Sequence, residues 1–165
     1  MRPPPQVLSE LYRLHAASVF RRARRLLGDE TEAYEVVQDL FVSLLERPEQ
    51  FAGRSTMSTF LYGATTHLCL NRLRNQRNRA RLLCGHTVTS EAPSGTSVDN
   101  LVALRAALAN LPSQLAEVAI YSFVDELSHQ EIATILGCSR RHVGDLVARV
   151  QQWGRAQEEG SCSAS

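Results

Sequence analysis

LSHQEIATILGCSRRHVGDLVARV, residues 127–150, carries the punctuation of two short helices. Ser128 and Glu131 stand at the S-x-x-E spacing of a capping box, in which a hydroxyl and a carboxylate each satisfy a main-chain amide at a helix start. Ile132, Ala133 and Leu136 recur at helical spacing and form an inward face. Gly137 follows, a residue type that reaches the left-handed conformation ending a helix. Ser139 is placed to cap a second helix, with Val143, Leu146, Val147 and Val150 inward. Two helices joined by a short glycine-containing turn make a helix-turn-helix. The second helix of that motif enters the major groove by its N-terminal residues, here Arg140, Arg141, His142, Gly144 and Asp145. An ordinary helical hairpin shares the spacing. The two Arg that open the second helix favour DNA.

The helical signal continues upstream. Pro112 suits the first turn of a helix over SQLAEVAIYSFV. Asp99 or Asn100 is a suitable N-cap for LVALRAALAN. Before them, CGHTVTSEAPSGTSVDN has no period and is rich in Ser, Thr, Gly and Pro, the composition of a linker. Further back, Leu8, Leu11, His15, Val19, Leu26 and Leu27 share one helical stripe, and Gly28 and Asp29 interrupt it. The run TEAYEVVQDLFVSLLE sets Val37, Leu40, Phe41 and Leu44 on one face. After Pro48 and Gly53, Ser58 to Arg81 reads as one long helix with Leu61, Ala64 and Leu68 inward. Its opposite face carries His67, Asn71, Arg74 and Asn78. Strand signals are nearly absent. The sequence thus predicts an all-α chain of two small helical domains, residues 6–82 and 99–156. A flexible linker over 83–98 joins them, and a disordered tail covers 157–165.

The formal charge of +1, from 18 basic and 17 acidic residues, conceals a segregation. Residues 1–82 hold thirteen Arg and eight acids, whereas 101–165 hold five Arg and seven acids. From Arg54 to Leu82 there are six Arg and no acid. Every basic residue is Arg, whose fork matches phosphates and guanine edges; codon usage in a GC-rich genome gives the same bias. Phe60 and Tyr62 precede Arg72, Arg74, Arg77, Arg79 and Arg81, and aromatic rings beside Arg are what unstacked bases need. The acids Glu30, Glu32, Glu35 and Asp39 open the second helix. The helix dipole accounts for the first two, and Gln38 and Asp39 lie off the apolar stripe, where a protein partner could use them.

Composition excludes other classes. With 44% hydrophobic and 21% charged residues the chain is neither disordered nor fibrous. Cys69, Cys84, Cys138 and Cys162 form no CxxC pair, and the five His are scattered, so neither a metal centre nor another cofactor is expected. No run reaches the roughly 20 apolar residues of a membrane span, and MRPPPQ does not open a signal peptide. A cytoplasmic location with reduced thiols is expected. No GxGxxG, GxxxxGK[ST], HExxH or GxSxG pattern is present, so the chain is not expected to be an enzyme.

The run GDETEAYEVVQDLFVSLLERPEQFAGRSTMSTFLYGATTHLCLNRLRNQRNRAR resembles region 2 of the bacterial extracytoplasmic-function (group 4) sigma factors of RNA polymerase. LANLPSQLAEVAIYSFVDELSHQEIATILGCSRRHVGDLVARVQ is similar to their region 4. The resemblance rests on VVQDLF, F-x-G-R-S, T-F-L-Y, L-P and LSHQEIA with LGCS, and it spans about 100 to 130 residues. It implies core RNA polymerase and promoter DNA as partners, with the −35 element as duplex and the −10 element opened. It also leaves room for an anti-sigma factor, and it implies no membrane insertion. Gln38, Asp39, Val42 and Leu45 would then dock on core polymerase. Arg54, Ser55, Thr56, Phe60, Tyr62, His67 and Asn71 would open the −10 element and hold an unstacked base, with Arg72, Arg74 and Arg77 on strand phosphates. Ser139, Arg140, Arg141, His142, Gly144, Asp145 and Arg149 would read the −35 element.

Three departures from the family pattern bear on this expectation. Phe60 stands where Trp is frequent. Asp145 brings a carboxylate towards DNA. Little precedes Leu8, so the first region-2 helix is expected to be trimmed. These features keep open a sigma-like regulator or adaptor that binds polymerase or a partner protein yet initiates poorly.

Overall fold

The computed structural model describes residues 5–51, 53–84 and 97–162. The chain divides into two compact units between Asn110 and Leu111. The first contains α1 (Pro5–Leu27), α2 (Glu30–Glu46), a 3₁₀ turn (Pro48–Gln50), α3 (Met57–Cys84) and α4 (Ser97–Asn110). The second contains α5 (Ser113–Ala119), a π-helical turn (Ile120–Val124), α6 (His129–Leu136) and α7 (Arg140–Cys162). Among the described residues there is no strand, so the protein is all-α.

In the first unit α1, α2 and α3 pack around Val19, Val37, Leu40, Phe41, Leu44 and Leu61, flanked by Leu8, Leu11, Phe60, Ala64 and Leu68. The stripe read on α2 is buried throughout. On α3 the expected Leu61 is buried, and the buried face extends beyond the expected stripe. Thr65, Thr66, Cys69, Leu70 and Leu73 lie inside, while Ala64 and Leu68 are only half-buried. Two threonines can enter the core because each hydroxyl is satisfied by the preceding turn. Thr65 Oγ1 donates to the Leu61 carbonyl at 2.6 Å, and Thr66 Oγ1 to that of Tyr62 at 2.9 Å. A pattern built from apolar letters alone cannot register them.

The α1–α2 corner is set by Gly28 at φ +75° and by Asp29, whose carboxylate accepts the Glu32 amide at 2.8 Å. A residue of α4 completes it. Arg105 Nε donates to the Leu26 carbonyl at 2.9 Å, and a Cβ at Gly28 would come within 2.5 Å of its guanidinium. An arginine on the last carbonyls of a helix satisfies an orphan acceptor and complements the helix dipole.

Several expected boundaries move. The helix read from Asp99 or Asn100 begins at Ser97, and it groups with the first unit, not the second. The tail expected to be disordered is helical as far as Cys162, because α7 continues. The single helix expected over residues 113–124 becomes α5 followed by the π turn, which buries both Ile120 and Tyr121 completely. The greater part of the expected linker lies outside the described residues.

Candidate nucleic-acid interface

The second unit has the helix-turn-helix expected from its caps. Ser128 Oγ accepts the Glu131 amide at 3.3 Å, and Glu131 Oε2 accepts the Ser128 amide at 2.8 Å. The hydroxyl and amide of Ser128, both donating to the carboxylate, hold Glu131 below the usual carboxylate range. Gly137 ends α6 at φ 65°, ψ 33°. Ser139 Oγ then accepts the His142 amide at 3.2 Å and starts α7. Ile132 and Ala133 of α6 are buried, as are Val143, Leu146 and Val150 of α7. Ser139, Arg140, Arg141, His142, Asp145 and Arg149 are exposed together on the first half of α7. Gly144 differs: it is half-buried, and a Cβ there would lie 4.0 Å from the His129 ring of α6. It serves the crossing of the two helices more than the outer face. His142 Nε2 lies 3.4 Å from Gln114 Nε2 on α5. Arg141, Asp145 and Arg149 recur every four residues and so stand in one row along the helix.

In the first unit the loop before α3 carries exposed Arg54 and half-buried Ser55. Thr56 caps α3, its Oγ1 accepting the Thr59 amide at 3.2 Å. Phe60 is half-buried with its ring edge-on to Phe51 at 5.6 Å. Tyr62 lies beneath the Arg22 guanidinium, 3.6 Å from the ring centroid. Along α3, His67 and Asn78 are exposed, Asn71, Arg74 and Arg77 are half-buried, and Arg79 and Arg81 are exposed. Arg74 Nη1 reaches Asn71 Oδ1 at 3.5 Å.

Arg72 departs from this row. Its guanidinium donates to Glu32 and Glu35 at 2.7 Å and to Asp39 at 2.5 Å, all on α2. Partial burial opposes its charge, but the hydrogen bonds to Glu35, Glu32 and Asp39 outweigh this and hold the cation protonated well beyond its ordinary range. A phosphate could reach Arg72 only by displacing carboxylates. The geometry ties α3 to α2 through Arg72.

The same triad separates the residues expected to dock on a protein partner. Asp39 turns to Arg72, whereas Gln38, Val42 and Leu45 line an open groove of about 480 Å³ with Leu8, Tyr12 and Phe41. Val42 is 51% and Tyr12 49% exposed, so this apolar floor is offered to solvent. The sequence reading missed Tyr12. Its place four residues after Leu8 on the α1 stripe was the available signal, and its ring packs edge-on to Phe41 at 5.0 Å.

Among the described residues no group of three His, Cys, Asp or Glu could hold a metal, and no helix is long and apolar enough to cross a membrane. Burial pushes the Cys69 thiol up to about 12, against the weaker pull of Arg22 and Arg72. It is packing, not a nucleophile.

Comparison with known proteins matches the family model Sigma-70 region 2 to residues 11–79 and Sigma-70, region 4 to residues 101–150. RNA polymerase sigma factor YlaC of Bacillus subtilis is 31% identical over 155 residues, covering 87% of each chain. ECF RNA polymerase sigma factor SigE of Mycolicibacterium smegmatis is 28% identical over 87% of this chain; the aligned part is 58% of that protein's length. The solved complex of the sigma factor RpoE with the anti-sigma factor NepR from Bartonella quintana shares the fold, at TM-score 0.51 and 17% identity, over 87% of this chain and 91% of that one. With both regions present in order, and with the helix-turn-helix inside the second, the chain belongs to the sigma-70 family of RNA polymerase sigma factors, in its extracytoplasmic-function group.

Proposed function

We infer that this chain is a promoter-specificity subunit: it binds core RNA polymerase in the cytoplasm, directs it to promoters and starts transcription without itself catalysing a reaction. The observation that carries this reading is the pairing of the two sigma regions, in order, with an exposed basic recognition helix in the second. In the proposed division, residues 6–82 act as region 2 and 99–156 as region 4. Arg140, Arg141, His142 and Arg149, with Ser139 and Gly144 supporting the helix, read duplex −35 DNA. Asp145, on the same exposed row, can accept from a cytosine amino group. Arg54, Ser55, Thr56, Phe60, Tyr62, His67 and Asn71 receive opened −10 DNA, with Arg74 and Arg77 on phosphates. Unstacking costs a few kcal/mol per base, which favours a surface combining rings with cations. Gln38, Val42 and Leu45, joined by Tyr12, dock on polymerase; Asp39 acts through Arg72. An anti-sigma factor is part of the reading, since the sigma factor RpoE of similar fold is bound by one.

The test is transcription with core polymerase and a fragmented genomic template. Discrete transcripts that require this chain are expected. Tight binding to core with no transcript from any template overturns the reading in favour of an adaptor that sequesters its partner.

A further inference from the structure

The start of α7 has a neighbour on α5. Gln114 is the second residue of α5, and its Nε2 lies 3.4 Å from Nε2 of His142, in the first turn of α7. Both side chains are exposed, yet each stands beside a core residue. Leu115, next to Gln114, and Val143, next to His142, are both buried, and α5 packs against α7. The main chain of His142 is held as well, since Ser139 Oγ accepts its amide at 3.2 Å. A contact between two positions already fixed by packing gives up little freedom. A neutral imidazole has one donor and one acceptor nitrogen, and the partner of one decides the character of the other. The amide nitrogen of Gln114 donates and cannot accept. In this pair Nε2 of His142 is therefore the acceptor, and Nδ1 carries the hydrogen. On the major-groove edge guanine offers N7 and O6 and thymine offers O4, all acceptors, whereas cytosine offers an amino group. An Nδ1–H donor suits the first two bases and meets another donor on the third.

We propose that Gln114 is a positioning residue for promoter recognition: by donating to His142 Nε2 it fixes the ring as an Nδ1–H donor for one base of the −35 element. The proposal rests on the reading of α7 given above. Gln114 acts through His142 and needs no DNA contact of its own. Without its amide the ring rotates and exchanges tautomers. The lone pair of Nδ1 then meets a cytosine amino group as readily as Nδ1–H meets guanine. Loss of Gln114 therefore broadens the preference at one base pair. The guanidinium groups of α7 are untouched, so the electrostatic part of binding stays. The 28 positions between Gln114 and His142 kept this pair out of reach of local sequence spacing.

The experiment uses holoenzyme assembled from core polymerase and the full chain. A duplex promoter recovered in the genomic transcription test is resynthesised with its −35 element randomised, and the bound and unbound fractions are sequenced. Wild type is compared with Q114M, H142A and Q114M/H142A. Met keeps the length of Gln and loses its amide. H142A is expected to flatten the preference at one −35 position roughly tenfold. Q114M should flatten that same position about threefold, chiefly by admitting cytosine, and leave the other positions as in wild type. In the double variant that position should match H142A alone, the non-additivity of one residue acting through another. Gln114 is exposed, so the urea midpoint of Q114M should equal that of wild type. An unchanged preference in Q114M overturns the proposal. So does a uniform loss at all positions, a further loss in the double variant, a preference indifferent to H142A, or a lowered urea midpoint, which would assign Gln114 to packing. Wild-type holoenzyme that starts transcripts and selects a −35 sequence, with one of these results in the variants, removes the role of Gln114 alone. Wild type that starts no transcript, or selects no −35 sequence, removes the reading beneath it.

Discussion

Arg72 and Arg74 are two residues apart and do different work. One is enclosed by Glu32, Glu35 and Asp39, and the other lies beside Asn71 on the outer row. Removing Arg72 leaves three carboxylates facing one another without their cation, and charge-assisted hydrogen bonds of this kind are the stronger ones. Their partial exposure discounts the effect. R72A is expected to lower stability by about 1–2 kcal/mol, read from the urea midpoint by circular dichroism, with the salt slope of DNA binding unchanged. R74A should do the reverse, flattening the slope and leaving the midpoint in place. The sequence could not separate the two. It shows an acid-free run of Arg, but the acids that claim Arg72 lie 33 to 40 positions away on another helix. Which cation meets them depends on the rotation of α3, whose buried face holds Thr65 and Thr66 beside Leu61, Cys69, Leu70 and Leu73.

At the scale of elements, the helix-turn-helix was the most legible part, because every signal in it is local. Capping box, left-handed glycine and second cap all act within four residues, and each has the geometry its letters announce. The π turn after α5 was not legible. Ile120 and Tyr121 are both drawn into the core there, a demand set by packing and not by local spacing. The cap also carries a pH signature. Glu131 titrates below its unfolded value near 4.5, so its contribution is present above that value and fades as pH falls through the lower, folded one. Between pH 5 and pH 3, E131Q should therefore lose less stability than wild type, because Gln keeps the capping geometry without the titration. Acid unfolding followed by circular dichroism checks this. Identical acid limbs in the two proteins would remove Glu131 from the linkage.

For the whole molecule, the all-α class and the order of the two regions followed from hydrophobic period and charge segregation. The limits of the compact units did not, since α4 reads as the opening of one region and packs with the other. Each unit has its own reporter. Trp153, the single tryptophan, is on α7, and the buried Cys69 is on α3. I132A removes a fully buried side chain between α6 and α7 and should cost the second unit about 2–5 kcal/mol. Trp153 fluorescence should register that loss, while protection of Cys69 from alkylation stays as in wild type. If Cys69 is exposed in parallel, the units unfold as one body. The hydrogen bond from Arg105 to the Leu26 carbonyl bears on how such proteins can be taken apart. A fragment cut at the edge of the region-2 match would lose the residue that closes the corner between its first two helices. Exchange of whole region-4 segments between relatives would likewise carry that closure away with the donor. Modularity in this chain therefore has its seam at Asn110, inside what sequence similarity treats as a single piece.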